Sequence, residues 1–247
     1  MALVSRRRRR PVAFAVLLAL TVSLSLLSGA SGARPAPRLP ADLPPRERAR
    51  CLAIAEAADV STRVDADPFL TRRQVFEYLL DHPAFASHVT RAVKVGRYRI
   101  WRTADGLFLD DGWGVTGRFD VVHAAPGSRL FVASGEYRKR LMPTIEGEAV
   151  TMIEYRTEPR PDGRAVVHAT VSGFLRLESR LAALALKVAS GIAQRKADKE
   201  ARKLMRVFAK TSRRLEEDPD GVLERLRQQP DVPQRELREF TALLTAR

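Results

Sequence analysis

The chain has very little cysteine: Cys51 is the single one among 247 residues. An internal disulfide framework is therefore excluded, and burial of apolar side chains must hold the fold together. We expect Cys51 to be a packed, unreactive thiol, with pairing between two chains as the alternative.

The sequence also lacks the local motifs of common enzyme classes. There is no Gly-x-Ser-x-Gly nucleophile elbow and no glycine-rich phosphate loop followed by lysine. His82 and His88 stand six apart, which does not match the i, i+4 pair of a helical zinc site. Asp110-Asp111 precedes Gly112 and is typical of a turn or bulge. We therefore predict no catalytic residue, no metal site and no cofactor.

Charge of one sign is in excess. The formal net charge is +14, and without the five arginines from Arg6 to Arg10 there are 38 Lys and Arg against 29 Asp and Glu, or +9. Such a surplus favours anionic partners, either lipid headgroups or nucleic acid. The alternative is a set of solvated charged faces in an arginine-rich chain.

The first 33 residues have the pattern of a secretory signal peptide. Arg6 to Arg10 form a positive region, Pro11 to Leu27 form an uncharged apolar region, and Ser28 to Ala33 supply small residues for cleavage. We expect an exported protein, periplasmic or secreted. An uncleaved membrane anchor is the alternative, because 17 residues lie at the lower limit of a spanning helix.

Residues 34–58 are predicted to be a proline-rich linker and a short helix. Five prolines between Arg34 and Pro45 favour an extended linker, and Arg46 to Ala58 has a helical pattern. The main domain, 59–217, begins with a strand in which Val60, Thr62 and Val64 alternate with polar residues.

Two short helices are predicted after this strand. The first covers Thr71 to Leu80, and Thr71 and Gln74 have the spacing of a capping box at its start. Asp81-His82-Pro83 ends it, and a second helix carries apolar residues four apart from Phe85 onward.

The period then changes to alternation, which predicts a series of strands. The strands are Val95–Thr103, Leu107–Val122 with an interruption at Asp111-Gly112, Leu130–Arg138, Glu148–Thr157 and Ala165–Phe174. Turn signals separate them at Asp105-Gly106, Pro126-Gly127 and Pro161-Asp162-Gly163. Connections this short require antiparallel pairing.

A long helix is predicted from Ser179 to Glu217. Its apolar residues recur three or four apart, and its alanine series would allow close approach to another surface. We expect a bend at Ser190-Gly191 and an end before Pro219. Residues 218–247 form a C-terminal extension of two amphipathic helices that we expect to pack back on the domain, with a partner or membrane contact as the alternative.

The segment from Gln74 to Phe85, with its Val-Phe, Leu, Asp-His-Pro and Phe residues, resembles the START/polyketide-cyclase-like superfamily (SRPBCC, helix-grip). The element order from Val60 to Glu217 resembles it too. The resemblance implies an α+β fold in which a curved antiparallel β-sheet grips a long C-terminal α-helix, here with extra C-terminal helices. It also implies an apolar cavity between sheet and helix, without specifying a substrate.

The candidate ligand-binding residues are the large apolar side chains of the predicted strands and of the long helix. They are Trp101, Phe108, Trp113, Phe119, Phe131, Tyr137, Met152, Tyr155 and Phe174 from the sheet, with Leu184, Val188 and Ile192 from the helix. Half of the sheet positions must point outward, because neighbours on a strand lie on opposite faces. Core packing is the alternative role for each.

The predicted function is binding of a hydrophobic small molecule or lipid for carriage or sequestration. The alternatives are a cyclase- or hydratase-type enzyme on the same fold, or a basic protein that binds an anionic membrane surface or an envelope partner. Arg97 to Arg102 interleaves basic and aromatic residues, as single-strand nucleic-acid platforms do. A strand divides them between two faces, however, and an exported chain meets little nucleic acid, so no nucleic-acid partner is expected. The oligomeric state is left open.

Overall fold

The computed structural model describes residues 38–140, 143–179 and 190–245. The predicted signal peptide, 1–33, lies outside the described residues, as do Leu184 and Val188 of the predicted long helix. A bend at Ser190-Gly191 stays a prediction, because that helix is described only from Ser190 onward.

The described strands form one antiparallel sheet. Its strands are β1 (Val60–Asp65), β2 (Phe69–Thr71), β3 (Arg99–Thr103), β4 (Gly106–Asp110), β5 (Val115–Ala125), β6 (Ser128–Tyr137), β7 (Ile145–Pro159) and β8 (Ala165–Leu177). The order across the sheet is β1-β8-β7-β6-β5-β4-β3, with β2 also paired to β8. Each strand from β3 to β7 pairs with the next one in the chain, as the short turns predicted.

The described helices surround this sheet. They are α1 (Pro45–Glu56), α2 (Arg73–Asp81), α3 (Pro83–Ala92), α4 (Ser190–Glu217), α5 (Pro219–Arg227) and α6 (Gln234–Thr245). The long helix α4 lies against the β1, β2 and β8 side of the sheet. The predicted fold class is therefore confirmed: a curved antiparallel sheet grips a long C-terminal helix, and extra helices follow. Among the described helices, none is both long and apolar enough to cross a membrane.

The two faces of the sheet are covered by different helices. On the inner face, alternate residues such as Ile153 and Val171 pack with α2, α3 and the buried side of α4. On the outer face, Val150 and Met152 pack with α1. The central strands are thus buried on both sides, whereas the outer face of β3 and β4 is left open, since Trp101 is 41% exposed there.

The C-terminal extension packs back on the domain, as predicted. Leu226 and Phe240 are fully buried in the same core as the first two helices of the domain. The Phe240 ring lies 5.1 Å from the Phe85 ring in an edge-on arrangement, which favours the contact beyond area burial alone. The side chain of Asp218 caps α5 by accepting a hydrogen bond from the Gly221 backbone N–H.

Three local predictions were wrong. The capping box does not form: Thr71 belongs to β2, where it pairs with Ala165, and no side chain caps α2. The stretch 107–122 is a hairpin of two strands rather than one interrupted strand, because the chain reverses at Gly112. The strand predicted from Val95 begins only at Arg99, since the backbone N–H groups of Val95 and Gly96 still donate to the Thr90 carbonyl at the end of α3.

Candidate ligand-binding site

A cavity of about 60 Å³ lies between the inner face of the sheet, the α2–α3 pair and α4. It is lined by Leu79, Leu80, Pro83, Ala86, Tyr98, Ile100, Leu109, Gly117, Arg118, Phe119, Phe131, Ala133, Thr151, Ile153, Leu204 and Phe208. The lining is almost entirely apolar, which is the usual character of small-molecule sites.

The alternation of side chains along each strand determines which residues of the sheet line the cavity. Ile100 faces Leu109 across β3 and β4, and Leu107 faces Phe119 across β4 and β5. Residues two apart on a strand share a face, so each strand contributes every second side chain to the cavity or to the core beside it. The intervening positions face outward.

A row of three glycines crosses the inner face beside the cavity. Gly117 pairs with Gly135, and Gly135 pairs with Gly147, so β5, β6 and β7 all lack a side chain in this row. A Cβ added to Gly117 would lie 2.6 Å from the Ser134 carbonyl oxygen and 2.8 Å from the Gly135 Cα. Glycine is typical of places where strands bend sharply or approach closely, and here the neighbouring backbone leaves no room for a Cβ.

Aromatic side chains close the cavity on the helix side. Phe208 of α4 lines it and packs edge-on against Phe76 of α2, with 5.4 Å between the ring centroids. Phe76 in turn packs edge-on against Tyr155 at 5.1 Å and against Phe69 at 5.6 Å. This cluster fixes the position of α4 over the sheet at the level of the cavity.

Few polar groups reach the cavity. The titratable side chains among its lining residues are Tyr98, which is buried, and Arg118, which is exposed. Burial raises the pKa of the Tyr98 hydroxyl, and a hydrogen bond with Thr90 opposes part of that rise. The hydroxyl therefore stays protonated at neutral pH. Thr151 is the other hydroxyl-bearing residue of the lining.

Two of the predicted binding residues line the cavity. Phe119 and Phe131 are neighbours there, with ring centroids 6.4 Å apart. Tyr137 and Tyr155 also lie on the inner face but pack into the core on either side of the cavity. The Tyr155 hydroxyl donates a hydrogen bond to Glu77 at 3.2 Å. Ligand contact stays a prediction for all four.

The other predicted residues lie away from the cavity. Trp101 and Phe108 face outward and contact each other at 5.6 Å, because the inward positions of their strands belong to Ile100 and Leu109. Three further residues have other surroundings. Trp113 is exposed in the β4–β5 loop, and Met152 and Phe174 are covered by α1 on the outer face. Ile192 is 39% exposed on α4, and Leu184 and Val188 lie outside the described residues.

Sequence reasoning missed the aliphatic part of the lining. Leu79, Leu80 and Ala86 come from the two short helices, and Leu204 comes from α4. The helical spacing of apolar residues predicts that these side chains are buried, but it does not separate cavity lining from ordinary core. The two differ only in whether another side chain fills the space in front.

A buried histidine lies outside the cavity. His88 Nδ1 lies 2.7 Å from Gln229 Oε1, and Arg91 Nη2 lies 2.9 Å from the same nitrogen and donates to Gln229 Oε1 at 3.2 Å. Burial lowers the pKa of His88, the cation of Arg91 lowers it further, and the contact with Gln229 opposes both. The arrangement joins α3 to the α5–α6 connection, where Gln229 Nε2 also donates to the His88 carbonyl.

His168 lies on the outer face, with Nε2 3.3 Å from Glu158. Within the described ranges, no group of three or more His, Cys, Asp or Glu side chains is placed to hold a metal ion.

The fold and the cavity define a class of protein: an α+β helix-grip protein with an apolar cavity beneath its long helix. Comparison with known proteins gives no family model that matches the chain and no curated protein that matches it. Solved structures do match it.

A hypothetical protein from Helicobacter pylori aligns with 74% of this chain and 99% of its own at 15% identity, with a TM-score of 0.38. A conserved protein from Geobacillus kaustophilus aligns with 64% of this chain and 93% of its own at 15% identity, with a TM-score of 0.35. Norcoclaurine synthase from Thalictrum flavum aligns with 69% of this chain and 98% of its own at 10% identity, with a TM-score of 0.30. Similarities at this level carry no argument about what the chain does, which rests on its own geometry.

Proposed function

We propose that the chain is an exported START-like protein that binds a hydrophobic small molecule, specifically a lipid, in the cavity between sheet and α4. The apolar cavity carries this proposal. A ligand placed there gains roughly 25 cal/mol for each Å² of apolar surface removed from water. The side chains of Phe119, Phe131 and Phe208 provide that surface.

The size of the cavity sets a condition on the ligand. A volume of about 60 Å³ is far below the ~300–1,000 Å³ of sites that enclose drug-sized molecules. The cavity therefore admits the end of an acyl chain, and a larger part of a lipid enters when Leu204 and Phe208 move away from the sheet. Both residues belong to α4, so movement of this one helix enlarges the site.

The alternative function, a cyclase- or hydratase-type enzyme, needs a proton donor or acceptor within the cavity. Histidine, aspartate and glutamate do not occur among the described lining residues. Burial keeps the Tyr98 hydroxyl protonated, and this hydroxyl is already hydrogen-bonded to Thr90, so it is not suited to act as a base. This favours binding over acid–base catalysis.

Mass spectrometry of bound material tests the proposal. The protein is purified without detergent from an exporting host, and its organic extract is compared with that of Ala86→Leu, which places three extra carbon atoms in the cavity. We expect a stoichiometric lipid from the wild type and none from Ala86→Leu. The matched control, Ala209→Leu, adds the same atoms to α4 outside the lining and should retain the lipid. An extract from wild type that contains no hydrophobic molecule would contradict the proposal.

Export is tested separately by sequencing the amino terminus of the chain recovered from each cell fraction. We expect a periplasmic or secreted form that begins at Arg34. An intact chain extracted only with membranes would instead support the anchored alternative, and an intact chain in the cytoplasm would contradict export.

A further inference from the structure

A straight row of cations follows the outer side of α4. The row consists of Arg195, Lys199, Arg202, Arg206 and Lys210, which we call the basic stripe, and all five residues are exposed. Their spacing of three or four residues keeps them within an arc of about 80° over roughly 22 Å of helix. In the part of the chain that the structure describes, none of the five forms an ion pair.

The acidic residues of α4 do not neutralise this row. Asp198 accepts a hydrogen bond from the Thr62 hydroxyl at 2.6 Å, toward the sheet. Glu200 pairs with Lys203 at 2.9 Å beside the stripe. Glu216 and Glu217 pair with arginines at the far end of the helix. The negative charges are therefore engaged elsewhere, and the stripe presents uncompensated positive charge to the solvent.

Further cations lie along one side of the stripe. Lys196 is half-buried, and burial together with the nearby cations Lys139 and Lys203 lowers its pKa. Lys139 belongs to the β6–β7 connection, between Arg140 and Arg138, of which Arg138 pairs with Glu136 at 2.8 Å. The positive surface thus continues from the helix onto the end of the sheet, which broadens it beyond a single helix face.

The composition of the stripe indicates which polyanion it fits. Single-stranded nucleic acids are held by aromatic side chains on which bases stack, and the stripe contains no aromatic residue. At its amino-terminal end, in line with Arg195 and Lys199, Ile192 is 39% exposed. Cations with an exposed aliphatic side chain in line suit a surface of anionic lipid headgroups, where charges attract the helix and the apolar group enters the headgroup layer.

We infer that the basic stripe of α4 docks the protein on a membrane rich in anionic lipid. The opposite side of the same helix carries Leu204 and Phe208, which line the cavity. Docking through the stripe therefore places the membrane against the helix that covers the cavity. The docking surface itself does not depend on whether the cavity holds a ligand.

Vesicle flotation with the full chain tests the inference. The vesicles contain phosphatidylcholine alone or an equimolar mixture with phosphatidylglycerol. The test variant is Lys199→Gln/Arg202→Gln/Arg206→Gln. The matched control, Arg73→Gln/Arg156→Gln/Arg227→Gln, removes the same net charge from exposed arginines on α2, β7 and α5. Comparing the two variants cancels any membrane affinity that comes from other parts of the chain.

We expect the wild type to bind the anionic vesicles more tightly than the neutral ones, with binding that weakens as salt is added. Near an anionic surface each cation strengthens partitioning roughly five-fold, so the stripe variant should bind about 100-fold more weakly while the control stays within a few-fold of wild type. Equal losses in both variants, or equal binding to neutral vesicles, would overturn the inference. Stripe-dependent binding of a nucleic acid without any vesicle binding would overturn it too.

Discussion

Arg129 and Asp81 form a two-point ion pair that joins β6 to the end of α2. Nε of the arginine lies 2.6 Å from Oδ1, and Nη2 lies 3.0 Å from Oδ2. The arginine side chain is 6% exposed and the aspartate side chain 39%. A nearly buried guanidinium is thus balanced by a carboxylate at the rim, at the point where the second short helix begins.

The pair predicts the effect of Asp81→Asn. The substitution leaves a buried arginine without its counter-charge, and since the aspartate is partly solvated we expect the free energy of unfolding to fall by about 2 kcal/mol. Urea denaturation measures the change. Asp67→Asn, at an exposed position, is the control and should change the midpoint little; equal effects of the two substitutions would contradict a role for the pair.

The β4–β5 loop has room only for glycine at position 114. Its φ is +110°, and an added Cβ would lie 2.1 Å from the Arg138 carbonyl oxygen. We expect Gly114→Ala to lower the free energy of unfolding by at least about 3 kcal/mol, because the loop must move away from the end of β6.

Gly112→Ala is the matched control for Gly114→Ala. Gly112 lies in the same loop at φ +72° with nothing within 4 Å of an added Cβ, so it should cost only about 1 kcal/mol from backbone strain. Thermal unfolding of both variants gives the comparison, and similar costs would show that the close contact is unimportant.

The buried His88 predicts a loss of stability in mild acid. Its pKa is lowered below 6.5 in the folded chain, mainly by burial. The unfolded chain therefore binds a proton first as the pH falls, and the contribution of neutral His88 is present above about pH 6.5 and lost below it.

Urea midpoints of wild type and His88→Gln, measured at about pH 7.5 and about pH 5.5, test this. The wild type should lose more stability than the variant over the interval. Equal losses would mean that the pH dependence comes from other groups.

Because Cys51 is buried between α1 and the sheet, we expect its thiol to be labelled slowly, at a rate that reports on the packing of α1. The thiol is fully buried between α1 and the outer face of the sheet, and burial raises its pKa, so the reactive thiolate is scarce in the folded chain. As the single cysteine, it accounts for all labelling by iodoacetamide.

We expect Ile54→Ala, on α1, to accelerate labelling more than Phe208→Ala on the inner face. Both changes remove a large buried side chain. The same acceleration in both variants would mean that Cys51 is reached only by global unfolding, rather than by release of α1.

The order of elements could be predicted from local chemistry, because proline–glycine turns such as Pro126-Gly127 force consecutive strands to pair. Which face of each strand is concave could not. Alternation separates Ile100 from Trp101, but only the position of α3, which packs against β3, decides that the first points inward. Side-chain size favoured Trp101 as the ligand-binding residue, and this prediction was wrong about the cavity lining. Ile100 lines the cavity, whereas Trp101 is exposed on the outer face.

Two other differences have the same origin in tertiary contacts. Met152 and Phe174 are buried although they face outward, because α1 covers the sheet from the other side. Thr71 has the sequence context of a helix cap, yet pairing with β8 takes it into a three-residue strand too short to be recognised from alternation. The local sequence limits which structures a residue can adopt, and packing against a neighbouring element determines which of these structures forms.

The unequal cover of the sheet has a consequence for amide hydrogen exchange. Strands β6, β7 and β8 lie between helices on both sides, so their amides should exchange only when most of the fold opens. Strand β3 has one neighbouring strand and an open outer face, so it should exchange sooner. Because Ile100 and Leu109 line the cavity from this margin, separation of β3 and β4 would open the cavity to solvent without any movement of the long helix.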